Sequence, residues 1–229
     1  MSSRVSPQAG FSLLELLVAI SVTTILLMVA GNFVVNGTLS ANIAYNQTIV
    51  QSNTKSAVEI VARTIRSARS VEAANAQPDP NPPVVGSPYS WAAVSGNNAT
   101  LILAIPARDA ANNLLYVDGL HSNLYTNDVI FYLDTSTDRL YKRTIANAVI
   151  GNAAKTTCPP AIATSSCPAD TIIVEDIAGL TTNYLDNTNA NVAVPSGTEA
   201  VGYSVTETKK IGNRDYSSTY STITALRNK

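Results

Sequence analysis

Residues 10–30 read GFSLLELLVAISVTTILLMVA and are almost entirely apolar. The apolar run begins at Phe11 and continues to Val35, interrupted by a few hydroxyl side chains, one Gly, one Asn and Glu15. About twenty helical residues span the roughly 30 Å hydrocarbon core of a membrane, so residues 11–35 are predicted to be a transmembrane helix. An acid inside such a span costs about 2.5–3.5 kcal/mol on insertion scales, so Glu15 requires a partner or a function.

Two general classes of protein carry an N-terminal apolar segment of this kind. A secretory signal peptide has a charged start, a short apolar core and a small-residue cleavage site. Here Arg4 is the one charged residue before the core, the core is long, and Met28 makes residues 28–30 a poor cleavage site. An ordinary single-pass anchor is the other class, and in that interpretation Glu15 is incidental.

A third interpretation rests on residues 10–16, GFSLLEL, which closely resemble the processing motif of type IV pilins and of the pseudopilins of type II secretion. The resemblance implies a leader peptide at residues 1–10, cleavage by a prepilin peptidase between Gly10 and Phe11, and N-methylation of Phe11. It also implies that Glu15 pairs with the new amine of a neighbouring subunit during filament assembly. Pairing the two charges offsets much of the cost of removing them from water.

The helical pattern continues beyond the membrane span, over residues 36–76. Apolar residues recur at helical spacing from Ile43 through Val50, Ala57, Val61 and Ile65 to Ala68, and trace one face. We expect this amphipathic continuation to end near residue 74, before the proline-rich residues 77–83.

Short apolar, β-branched and aromatic runs then predict strands. They cover residues 99–105, 128–133, 139–145, 171–175, 180–185, 200–208 and 217–226. Residues 134–138 read as the turn of a hairpin, and the last two strands as a closing pair. An antiparallel sheet packed on the C-terminal half of the long helix predicts an α+β fold, with a globular β-rich head at residues 77–229.

The two cysteines, Cys158 and Cys167, lie in one short segment. In an exported chain, such a pair favours a disulfide, and a loop of about ten residues stabilises the fold by roughly 2–3 kcal/mol. Free thiols are the alternative. A metal site is disfavoured because the flanking residues are Thr, Pro, Ser and Ala.

The composition gives little indication of catalysis or of nucleic-acid binding. Charged residues make up 14% of the chain and the formal net charge is −1, which is not the basic surface that nucleic acid requires. The single histidine, His121, lies in a predicted loop, where an exposed structural role is favoured over catalysis. Asp134 and Asp138 share a turn, and a solvated turn is favoured over a calcium site. We therefore predict no catalytic residue, cofactor or metal.

Later segments, such as Phe131-Tyr132 followed by residues 140–143 (LYKR), loosely resemble the larger minor pilins and the J-type minor pseudopilins. The resemblance implies a low-copy subunit that initiates or caps a type IV pilus, with other pilins and the prepilin peptidase as partners. The chain would reside in the inner membrane before joining an extracellular pilus. A minor pseudopilin of a type II secretion system, in a periplasmic pseudopilus, is one alternative, and a membrane-anchored extracellular binding or enzymatic domain is another.

Overall fold

The structure is a computed structural model that describes residues 12–192, 197–211 and 214–227. The chain divides into two compact units, Met1–Gln47 and Thr48–Lys229. Helix α1 covers Leu13–Ser67 and therefore contributes to both units. Its residues 13–47 are nearly all that the structure describes of the first unit, and its residues 48–67 begin the second.

In the described part of the first unit, residues 13–35 belong to a helix that is apolar on every side. Between Leu13 and Leu39, each large hydrophobic side chain is at least 51% exposed. The helix is long and apolar enough to cross a membrane, judged by length and composition. A helix that is hydrophobic all round belongs inside lipid or among other helices, so this unit requires one of those two surroundings.

The second unit combines the C-terminal part of α1 with antiparallel strands. In chain order the described strands are β1 (Ser70–Val71), β2 (Thr100–Pro106), β3 (Thr126–Asp134), β4 (Arg139–Ile145), β5 (Thr171–Val174), β6 (Ile177–Leu185), β7 (Ala200–Ile211) and β8 (Arg214–Ala225). A short 3₁₀ helix, Pro160–Ile162, precedes β5. These elements confirm the α+β class, the β3–β4 hairpin and the closing β7–β8 pair.

The main core lies between α1 and the inner faces of the strands. The predicted helix face is confirmed: Val50, Ala57, Val61, Ile65 and Ala68 are at most 1% exposed, while Ile43 is half-buried. Strand residues from β2 to β7 complete this cluster. Tyr203 on β7 also donates a hydrogen bond to the Val58 carbonyl of α1 at 2.8 Å, so packing and polar contacts both fix the helix on the strands.

The helix ends seven residues earlier than the sequence predicts. Strand β1 follows Ser67 almost at once and pairs with β2. The backbone N–H of Arg69 bonds the Ala104 carbonyl at 2.8 Å, and that of Glu72 bonds the Ile102 carbonyl at 2.9 Å. The edge of β2 therefore provides the backbone hydrogen bonds that a continued helix would have provided. Val71 then enters the core.

The strands form two sheets, where the sequence predicted one. Strands β1–β5 make one sheet in chain order, and β6–β7–β8 make the other. The chain changes sheets at Asp176, which has left-handed backbone (φ 59°). Ile177 then donates its N–H to the Asp138 carbonyl at 2.9 Å, which leads β6 away from β5.

The outer face of the five-stranded sheet carries a second, smaller cluster. Trp91, Ile102, Ile130 and Ile145 form it. Trp91 belongs to the long segment between β1 and β2, so that segment supplies part of the cover for this face.

Candidate processing and assembly site

Helix α1 begins with a reciprocal pair of hydrogen bonds between Ser12 and Glu15. The Ser12 backbone N–H donates to the Glu15 carboxylate at 3.1 Å, and the Glu15 backbone N–H donates to the Ser12 hydroxyl at 3.3 Å. This is a capping box, in which the side chain of each residue accepts a hydrogen bond from the backbone N–H of the other. A carboxylate in the first turn also interacts favourably with the helix dipole.

The capping box gives Glu15 a local role that the sequence interpretation missed. The signal was present, because Ser12 and Glu15 have the S-x-x-E spacing. Gly10 and Phe11 lie outside the described residues, so cleavage between them, methylation of Phe11 and the pairing of Glu15 with an amine stay predictions.

Hydroxyl side chains within the apolar helix, those of Ser21, Thr23 and Thr24, bond to the backbone of the preceding turn. Their hydroxyls donate to the carbonyls of Leu17, Ala19 and Ile20 at 2.7, 2.7 and 2.8 Å. Such internal bonds let these residues enter an apolar environment. Ser12 precedes the first turn and caps the helix instead.

Cys158 and Cys167 form a disulfide, with their Cα atoms 5.6 Å apart. The Asn81 side-chain amide donates to the Cys158 sulfur at 2.9 Å, and the Asp170 N–H donates to the Cys158 carbonyl at 2.7 Å. The disulfide loop is thereby joined to the long segment after β1 and to the start of β5.

A buried ionic cluster lies beside the disulfide on the outer face of the five-stranded sheet. Arg143 of β4 is 1% exposed and pairs with Asp170 at 2.7 Å and with Asp79 at 2.9 Å. Burial alone would lower the pKa of Arg143, but the hydrogen bonds to Asp170 and the charges of both carboxylates raise it. Trp91 donates to Asp79 at 2.6 Å and Tyr132 donates to Asp170 at 2.8 Å.

This cluster has a structural function that sequence reasoning did not find. Its three charged members are far apart in the chain, and the weak available signal is that Arg143 lies inside the β4 pattern. The cluster links the segment after β1, strand β4 and the residue before β5. It therefore fixes the outer layer of the head.

Two further candidate residues make local contacts. His121 is exposed in a turn and stacks on Tyr116, with ring centroids 4.3 Å apart. Asp134 accepts bonds from the Ser136 N–H and hydroxyl at 2.9 and 2.6 Å, and the Ser136 hydroxyl lowers its pKa below the ordinary value. The Thr137 hydroxyl donates to the other oxygen of Asp134, so both carboxylate oxygens accept hydrogen bonds from residues of the turn.

Asp138, the other acid of this turn, has left-handed backbone (φ 52°). Across the described ranges, no group of three or more His, Cys, Asp or Glu residues is placed to hold a metal ion.

Residues 5–31 match the family described as the prokaryotic N-terminal methylation motif. The matched range contains Gly10, Phe11 and Glu15. No curated protein matches the chain. The motif match supports a type IV pilin or pseudopilin and indicates a structural subunit.

The same match implies processing by a prepilin peptidase and assembly with other pilins. Together with the apolar helix α1, it supports membrane anchoring followed by entry into a pilus or pseudopilus.

Proposed function

We propose that the chain is a minor structural subunit of a type IV pilus that initiates or caps the filament. The observation that carries the proposal is an acid-capped apolar helix, Ser12–Glu15 at the start of α1, inside the methylation-motif match. The head of two sheets supports the minor role, because the resemblance associates large heads with low-copy subunits.

The N-terminal segment acts in a fixed order. The prepilin peptidase cleaves between Gly10 and Phe11 while α1 anchors the chain in the inner membrane. Cleavage leaves a cationic amine on Phe11, which is then methylated and keeps its positive charge. Ser12 directly follows this residue, so the new amine is produced next to the helix cap.

Glu15 then changes partner during assembly. In the single chain its carboxylate accepts the Ser12 N–H. A hydrogen bond from a neutral N–H is weaker than one from a cationic donor. The charged amine of a neighbouring subunit therefore displaces the Ser12 N–H when apolar helices come together, and the ion pair sets the axial position of the new subunit.

The filament location of the chain tests this proposal. Filaments sheared from cells with an active prepilin peptidase are expected to contain the chain, and those from peptidase-deficient cells are not. A minor pseudopilin would instead remain in the periplasmic fraction together with the secretion machinery. A chain that stays in the membrane in both strains would contradict the proposal and favour a permanently anchored domain.

A further inference from the structure

A surface pocket opens between the proline-rich segment after β1 and the hairpin of β3 and β4. It has a volume of about 440 Å³ and is called the outer-face pocket below. Pockets that bind small molecules have a volume in this range, with mostly apolar walls and a few polar groups. The walls here include three proline rings, two aromatic rings and one guanidinium, those of Pro82, Pro83, Pro159, Trp91, Tyr132 and Arg143.

Arg143 brings a buried hydrogen-bond donor to this pocket. A guanidinium has five N–H groups. Its Nε–H and one N–H of Nη2 donate to Asp170 at 3.0 and 2.7 Å. The two N–H groups of Nη1 donate to Asp79 at 2.9 Å and to the Asn81 carbonyl at 2.8 Å. The second N–H of Nη2 has no acceptor within the described residues, although the side chain of Arg143 is almost completely buried. A buried donor without an acceptor costs free energy, and an oxygen atom of a ligand in the pocket can remove that cost.

The charges around the pocket favour a neutral ligand. Arg143 already has two carboxylate partners, and Asp134 adds a third carboxylate at the pocket wall, so an anion would be repelled. The guanidinium carbon of Arg143 lies 5.3 Å from the ring centroid of Trp91 and 5.8 Å from that of Tyr132. These rings therefore already bind a cation, and a cationic ligand would be repelled by Arg143.

The walls favour a ring that has both an apolar face and hydroxyl groups. The proline and aromatic rings provide apolar surface, whereas the half-buried Asp134 and the exposed Thr135 provide oxygen atoms that accept bonds from hydroxyls. A proline-rich peptide is the other neutral ligand with apolar rings, and it binds along a groove lined by aromatic side chains. Here the two aromatic rings pack on each other at one place, with centroids 5.0 Å apart, which suits a single ring better than an extended peptide.

We propose that the outer-face pocket binds a neutral saccharide. One sugar ring packs against the prolines and the Trp91–Tyr132 pair, and a sugar oxygen accepts the remaining N–H of Arg143. The inference goes beyond the proposed function, because it gives the head a ligand outside the filament. It does not depend on processing or assembly, since all of the pocket residues belong to the head.

The fluorescence of Trp91 tests the proposal, because Trp91 is the single tryptophan of the chain. We would titrate the purified full-length chain, in a zwitterionic detergent without a sugar headgroup, with D-glucose, D-galactose and N-acetyl-D-glucosamine. At least one of these sugars is expected to change the emission of Trp91 saturably, with a Kd of about 1 mM or tighter. The absence of a saturable change with all three sugars would overturn the proposal, and so would saturation by hexaproline alone.

Thr135→Phe tests the position of the site, and Ala161→Phe is its matched control. Both residues are exposed, so neither substitution disturbs the core. Thr135 lines the pocket, whereas Ala161 lies in the 3₁₀ helix beyond the Pro159 wall. We expect T135F to weaken sugar binding by at least about tenfold and A161F to retain it, as measured by calorimetry. Equal affinities of the two variants would overturn the assignment to this pocket.

Sugar binding and processing are measured separately, so their outcomes are distinguishable. A chain that binds sugar and stays unprocessed would overturn the proposed function alone. A processed filament subunit that binds none of the three sugars would overturn this inference alone.

Discussion

A single substitution separates the observed capping role of Glu15 from its proposed assembly role. Glu15→Gln keeps a side-chain oxygen that accepts the Ser12 N–H, since Gln serves in a capping box, but it removes the charge. We expect E15Q to be cleaved normally and to lose at least about tenfold in filament incorporation, or about 1.4 kcal/mol. Immunoblots of membrane and sheared fractions measure both quantities.

Ser12→Ala is the reciprocal control for this experiment. It removes the hydroxyl that accepts the Glu15 N–H and leaves the charge intact. Loss of an N-cap costs about 1 kcal/mol of helix stability, but assembly should continue. Normal incorporation of E15Q, or a loss confined to S12A, would show that the cap matters and the charge does not.

Asp128 makes the stability of the head depend on pH. Burial raises the pKa of Asp128 from 3.8 to about 6, against the effect of the Gln77 N–H, which donates to its carboxylate at 2.7 Å. Its Oδ1 atom is buried and finds no hydrogen-bond partner within the described residues. The folded state therefore holds the proton more tightly than the unfolded chain does.

The sign of the pH effect follows from this raised pKa. The penalty from a charged Asp128 is absent below about pH 4, grows up to about pH 6 and is complete above it. Lowering the pH from 7 to 5 should stabilise the wild-type chain by about 1 kcal/mol more than Asp128→Asn, which has no titrating group there. Urea unfolding of both chains measures this difference, and parallel pH profiles would contradict the assignment.

Among the structural elements, the Arg143 cluster is expected to dominate the attachment of the outer layer. Asp170→Ala leaves a buried guanidinium with one of its two carboxylate partners, and breaking a buried pair costs about 3–5 kcal/mol. Glu175→Ala is the control, since it removes a 2.8 Å pair with Arg139 that is partly exposed and worth about 0–1 kcal/mol. Denaturant midpoints compare the two, and equal losses would show that the cluster contributes no more than a surface pair.

The strands were predictable where local sequence determines them. The run in β4 has apolar and β-branched residues at strand spacing, and its bounds agree with the predicted residues 139–145. The end of α1 was not predictable, because residues 69–72 leave the helix to pair with β2, about thirty residues away in the chain. Tertiary pairing there overrides a helical pattern.

The candidate site was predictable only in part, for a similar reason. Glu15 is recognisable from its position in the apolar segment, and its cap from the spacing to Ser12. Arg143 meets Asp79 and Asp170 only after the sheet has formed, since they are 64 and 27 residues away. No local pattern encodes such a contact.

The features of the whole molecule support our proposal that the chain is a processed filament subunit. An apolar helix exposed on every side, a motif match at residues 5–31 and a β-rich head are consistent with one such subunit. Processing is the step on which the proposed assembly depends, because it creates the amine with which we propose that Glu15 pairs.

The most direct measurement is the intact mass and N-terminal sequence of the protein isolated from its native membrane or from sheared filaments. We expect a chain that begins with N-methylated Phe11. A chain that still begins at Met1 or Ser2, in cells with an active prepilin peptidase, would contradict it.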